Sequence, residues 1–238
     1  AVPLLAWGIQ AVVNLDQDLY SGLVLVATAA GAPFLPKLAQ TAKGDVALSV
    51  GLMTMLMVLT VVYMPVVLPL FLADVEVSAW DIASSLITMM LLPLAIGPVM
   101  KARWPGTADT LQPHMSQAST LAIGLVWKAR WPGTADTLQP HMSQASTVAI
   151  HFLIVGGVIL AWTDIVDLVG TGGLIAAIVF LLVSLVIGYV SGGSDPAIRS
   201  VLGLGTAQRN LSAALVVGAQ NFSSEVLTYV VVIALIGL

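Results

Sequence analysis

The chain has 238 residues, of which 58% are hydrophobic and 8% charged, with a mean hydropathy of +1.01 and a net charge of −4. That balance excludes a water-soluble domain and marks a polytopic membrane protein; the apolar runs have helix length, which also excludes an outer-membrane barrel of ~10-residue strands. No basic cluster points to nucleic acid, and the absence of cysteine removes disulfides, thiolate metal sites and cysteine nucleophiles.

The first apolar segment, 1–15, is shorter than the ~20 residues of a full span and lacks a basic n-region. It reads as the back half of a helix whose start is missing, or as a short interfacial segment. Segments 19–32 and 34–42 follow, divided by Gly31-Ala32-Pro33-Phe34-Leu35-Pro36, where Pro33 and Pro36 remove backbone donors and break a helix. Asp45 stands where it can cap the helix expected over 46–72. Further spans are predicted at 82–100, 148–163, 169–190, 197–219 and 226–238. Pro65, Pro69, Pro93 and Pro98 are kinks or helix ends, and Met53, Met55 and Met57 are packing or lipid-facing residues. Gln220, Asn221, Ser223 and Ser224 form a turn, either a plain loop or a gate.

Charge gives orientation. Lys37, Lys43, Lys101, Arg103, Lys128, Arg130 and Arg199 fall in alternate connections, and the others hold Asp16, Asp18, Asp74, Glu76, Asp81, Asp164, Asp167 and Glu225. By the positive-inside rule the basic set is cytoplasmic, provided 19–42 crosses once as a single broken helix. The expectation is a multi-pass inner-membrane protein with a cytoplasmic C-terminus.

Residues 101–120 (KARWPGTADTLQPHMSQAST) recur letter for letter at 128–147, a 27-residue unit in which 101–127 is repeated at 128–154. A solenoid needs at least three copies. The seven apolar residues 121–127 cover only about 10 Å as helix and cannot span the bilayer, so the first copy is expected to stay cytoplasmic or interfacial within one transmembrane domain, 1–238. The pair is a tandem duplication or an assembly error rather than a functional repeat; its histidines, His114 and His141, are loop residues or metal ligands. His151 is a hydrogen-bonded helix residue or a proton carrier.

Arg209 stands in Gly203-Leu204-Gly205-Thr206-Ala207-Gln208-Arg209-Asn210, between two apolar stretches. A cation at membrane depth costs at least ~2.5–3.5 kcal/mol, so it lines a substrate path or pairs with something. The flanking glycines weaken the helix and open backbone groups. Two readings stand: a fork that binds a carboxylate through two parallel hydrogen bonds, or a pairing that holds the helix crossing, with carbonyls of 31–36 as partners. Interrupted segments in corresponding places of two halves point to a transporter's binding site.

Gln40–Val50 (QTAKGDVALSV) and Thr206–Leu215 (TAQRNLSAAL) resemble two stretches of the bile acid:sodium symporter family. The resemblance implies an all-α membrane bundle of inverted repeats in which the fourth and ninth helices are broken and cross near the bilayer centre. Segments 19–42 and 197–219 would then be those two, and the family's first two helices are absent from the chain. Sodium-coupled members place Ser-Asn after P-G-G in the first break and carry E-x-G-x-Q-N in the second. This chain offers Pro33-Phe34-Leu35-Pro36, and puts Gly205 at the Glu and Arg209 at the Gln, with Asn210 retained. The implied function is secondary transport of an organic anion, bile-acid-like or a small carboxylate, by alternating access. Arg209, Asn210, Gln208, Thr206, Pro33 and Gln40 would bind it, with no cofactor or structural metal. Sodium coupling is in doubt; sodium and protons both remain open as the coupling ion, and the oligomeric state is open. The rival is a non-transporting sensor or scaffold on the same fold. An enzyme is not expected, because no catalytic constellation appears.

Overall fold

The structure, a computed structural model, describes residues 1–72, 78–88 and 162–237, apart from the side chains of Asp164 and Val169. All of these belong to one unit built from residues 1–92 and 161–238. The duplicated segment, its histidines and His151, Pro93 and Pro98, most of the expected span 82–100 and nearly all of 148–163 lie outside the described residues.

The described residues form helices α1 (Val2–Val13), α2 (Gln17–Thr28), α3 (Leu35–Thr41), α4 (Val46–Phe71), α5 (Ala79–Leu86), α6 (Trp162–Gly170), α7 (Gly173–Ser191), α8 (Pro196–Ala207), α9 (Leu211–Asn221) and α10 (Ser224–Gly237), and no strand. Two of them, α4 and α7, are long and apolar enough to cross a membrane alone; at ~1.5 Å per residue α4 measures about 39 Å, longer than the ~30 Å hydrocarbon core. Pro65 and Pro69 lie inside it without ending it. Asp45 caps its start, as the sequence predicts, accepting from Leu48 N–H at 2.9 Å. The expected span 169–190 is not one helix: the chain turns at Thr171–Gly172, where Gly172 has φ 78°, and α7 begins at Gly173. Tyr229 of α10 secures that turn by donating its hydroxyl to the Gly173 carbonyl at 2.7 Å.

The two ends differ in charge. At one, Ser223 donates to Asp18 at 3.1 Å, Ser85 is hydrogen-bonded to Gln220, and Val13 packs on Gly172. At the other, Gly44 packs on Ala197 and Val201, and Arg199 stacks 4.1 Å from the Tyr189 ring while donating Nε to the Tyr189 carbonyl. Among the described residues, Asp16, Asp18, Asp81 and Glu225 share the first end; Lys37, Lys43 and Arg199 share the second. Helix α1 therefore runs toward the acidic end, α2 and α3 return as one interrupted passage, and α4 runs back. Helices α7, α8 with α9, and α10 repeat that order with every direction reversed. This is an all-α membrane bundle of inverted repeats with one broken helix in each half. Helix α2 is its axis: every residue from Leu19 to Ala29 is buried, packed by α1, α4, α9 and α10.

Close backbone approach packs neighbouring helices within each half. Gly188 of α7 lies against the Leu202 carbonyl of α8, leaving no room for a Cβ, which is how small residues let membrane helices pack. Gly31 is more constrained. Its φ is +83°, and a Cβ would meet Met57 N of α4 at 2.6 Å. Gly31→Ala is therefore expected to cost about 2 kcal/mol or more from the left-handed backbone and the clash, seen as a lower melting temperature in detergent. Gly51→Ala, with nothing within 4 Å of the new methyl, should melt with the wild type; equal melting of the two variants would contradict this account.

Candidate functional site: the junction of the two helix breaks

A helix end leaves carbonyls without intrahelical donors, and the end of α2 shows where three of them go. The Ala29 amide still reaches Leu25 O at 3.1 Å. The next amide, Ala30 N–H, turns away to the Thr60 hydroxyl of α4 at 3.2 Å, which strands the Val26 carbonyl. Gly31 turns left-handed, which strands Ala27. Pro33 has no N–H to offer Ala29. The Thr60 hydroxyl, fully buried, shares its own proton between the Ala30 and Leu56 carbonyls.

The second break supplies the missing donors. Arg209 Nε donates to Val26 O at 3.2 Å and Nη2 to Ala27 O at 2.6 Å, while Nη1 reaches Thr206 O at 3.5 Å. Asn210 N–H donates to Ala29 O at 3.0 Å. Three stranded carbonyls of one broken helix are thus taken by two consecutive residues of the other. Arg209 as a whole is 8% exposed. It also places a positive charge on the negative end of the α2 dipole. Charge-assisted bonds of this kind contribute about 1.5–3 kcal/mol each.

Asn210 has a second task. Its Oδ1 caps α9 by accepting from Ala213 N–H at 3.0 Å, so the start of α9 after the break is formed by the residue that ends it. Gln208 ends α8 and sends its amide to the Gly237 carbonyl at the end of α10. Thr206 returns its hydroxyl to Leu202 O at 2.7 Å.

The structure therefore brings Thr206, Gln208, Arg209 and Asn210 together, with Pro33 at the facing break. Gln40 is not at the junction; it lies on the exposed side of α3, seven positions beyond Pro33. The pairing expected with carbonyls of 31–36 is instead made with Val26 and Ala27, because α2 unwinds before the prolines. Two residues of α4 were not singled out in the sequence: Thr60, and Tyr63 one turn on, which is half-buried and close enough to Arg209 to interact electrostatically. A lone Thr in an apolar helix is a weak signal, and nothing local marks it as the partner of a break 30 residues earlier.

The side-on edge of the guanidinium, Nε with Nη2, is engaged. On the end-on edge, Nη1 makes only the long bond to Thr206 O at 3.5 Å, and Pro33, Phe34 and Ser212 beside the breaks are exposed. No group of three metal-ligating side chains occurs among the described residues. Replacing Arg209 by Met strands two buried carbonyls, at roughly 1–3 kcal/mol each, and should lower the melting temperature sharply. Arg209→Lys should recover only part, because an ammonium lacks the planar fork. A Met variant as stable as wild type would contradict the assignment.

The comparisons agree with this architecture. A family model described as the Sodium Bile acid symporter family matches residues 1–167, covering the first broken helix, while the second lies beyond the matched stretch. No curated protein matches the chain. The family is one of membrane transporters rather than enzymes, and a small-molecule solute and a lipid environment go with it. With a match over well over half its length, the chain belongs to the sodium bile acid symporter family.

Proposed function

We propose that this protein is a secondary transporter of an organic anion, bile-acid-like or a small carboxylate, working by alternating access, and that Arg209 performs the electrostatic task of a coupling cation. The observation that carries the reading is the buried guanidinium on the stranded carbonyls of α2. A bound metal cation would also have to satisfy such carbonyls, and it would need anionic ligands to offset its dehydration. Neither break, 29–34 or 208–210, contains a carboxylate. A tethered guanidinium meets the same need without leaving its site.

A carboxylate would approach the end-on edge of Arg209 from the side where Pro33 and Ser212 are exposed, with Thr206, Gln208 and Asn210 as neutral neighbours and Gln40 further along α3. Planar recognition by two parallel N–H groups suits that edge. The inverted halves supply the two arrangements that alternating access requires. By the positive-inside rule the end carrying Lys37, Lys43 and Arg199 is cytoplasmic, which puts the end of α10 inside. Exchange and proton coupling are both compatible with this chemistry.

A second reading has one observation in its favour. The Arg209 side-on edge, the Asn210 oxygen and the Gln208 amide are all engaged by backbone groups, which fits a sensor or scaffold that keeps the fold and carries nothing. Flux separates the two. Uptake of radiolabelled cholate or pyruvate into proteoliposomes is expected to be the same in sodium and in choline buffers. Steep sodium dependence would reject the tethered-cation mechanism; no flux by well-folded protein would favour the sensor.

A further inference from the structure

We infer that a recess between α1 and α4 binds a phosphatidylethanolamine lipid, with the Tyr20 hydroxyl of α2 donating to a glycerol ester carbonyl and the Asp16 carboxylate holding the headgroup ammonium. The inference stands whatever solute the protein carries.

The recess follows from the way α1 and α4 flank α2. Both pack on it, and the space left between them has a volume of about 350 Å³, lined by Leu4 and Trp7 of α1, Leu70 and Phe71 of α4, and Tyr20 of α2. Leu4, Trp7 and Leu70 are each more than half exposed, so the recess opens outward from the bundle. Helix α1 runs toward the acidic end, which puts Leu4 about one turn deeper than Trp7. The walls are apolar and suit an acyl chain.

Tyr20 makes the recess more than an apolar groove. The residue is 8% exposed, yet its hydroxyl has no hydrogen bond among the described residues. Tyr229, also buried, donates to the Gly173 carbonyl at 2.7 Å, as a buried tyrosine hydroxyl normally does. Leaving a buried donor unmet is costly. Because Tyr20 lines the recess, the missing acceptor is one that the recess holds.

Asp16 identifies the rest of the occupant. It precedes Tyr20 by four residues, on the same side of α2 and about 6 Å nearer the acidic end. Its side chain is exposed and makes neither a cap bond nor an ion pair among the described residues. An exposed carboxylate marks the water boundary. Tyr20, one turn deeper, then lies where the interfacial layer gives way to hydrocarbon, the level at which tyrosines collect and glycerol esters lie. An ester accepts hydrogen bonds and cannot donate, which matches a phenolic O–H. A primary ammonium offers N–H donors to a carboxylate, and a choline headgroup does not. An anionic headgroup, or a bile-acid-like anion, would meet repulsion from Asp16 and Asp18.

Native mass spectrometry reads the lipid kept by the full chain when it is released from nanodiscs of equal parts phosphatidylethanolamine, phosphatidylcholine and phosphatidylglycerol. Phosphatidylethanolamine should be retained about tenfold over phosphatidylcholine, the ratio expected for one charge-assisted hydrogen bond. Asp16→Asn should abolish that preference and leave phosphatidylcholine retention unchanged. Tyr20→Phe should weaken retention of both about fivefold, since both carry the esters. Asp81→Asn, at the same end but not lining the recess, should change neither. Equal retention of the two zwitterionic lipids by the wild type would overturn the inference, as would a preference that survives Asp16→Asn or stronger retention of phosphatidylglycerol. Tyr20→Phe that keeps lipid as the wild type does would overturn it too. So would cholate that displaces the lipid and itself depends on Tyr20, which would make the recess a solute site. Should a variant melt below the wild type in detergent, the wild-type comparison of the three lipids decides alone.

Discussion

A helix that stops inside an apolar medium leaves carbonyl groups that nothing around it can hydrate, and each must find a donor elsewhere in the chain. In this protein the requirement falls on the end of α2, the most deeply buried of the described helices. Val26, Ala27 and Ala29 lose their helical partners because Ala30 bonds to Thr60, Gly31 takes a left-handed turn against α4, and Pro33 has no amide hydrogen. The donors come from Arg209 Nε and Nη2 and from Asn210 N–H. The position of α8 and α9, and with it the meeting of the two halves, follows from that exchange.

The halves are inverted in direction but do not solve the same problem in the same way. The first break exports its unsatisfied carbonyls and offers no side-chain oxygen between Ala29 and Phe34. The second brings a permanent positive charge and caps its own outgoing helix with Asn210. The asymmetry makes each break the complement of the other. The side-on edge of the guanidinium, Nε with Nη2, is the part that this pairing engages.

Much of this was legible in the sequence, for local reasons. Pro33 and Pro36 mark the first break because a missing donor is a property of the residue itself. Arg209 marks the second because a cation between apolar stretches needs a partner. Asp45 announces α4, and the alternation of Lys and Arg with acidic connections gives the two ends. What was not legible is tertiary. The break starts at Ala29, before the prolines, because Thr60 of another helix captures the Ala30 amide. For the same reason the guanidinium meets Val26 and Ala27 rather than the carbonyls of 31–36. Gln40 shares a motif with α3 but points away from the junction, which only the packing of Leu35 and Ala39 reveals. Gly170 to Gly172 divides a run that reads as one span, since apolar composition does not record a left-handed turn.

The central claim is a contact between a guanidinium and two backbone carbonyls in the lipid phase, and isotope-edited solid-state NMR in bilayers reads it directly. With the guanidinium nitrogens of Arg209 and the carbonyl carbons of Val26 and Ala27 labelled, strong dipolar coupling is expected, of equal size with and without sodium. Coupling that is absent, or that vanishes when sodium is added, would mean that the carbonyls have another partner and that the tethered cation does not hold the junction.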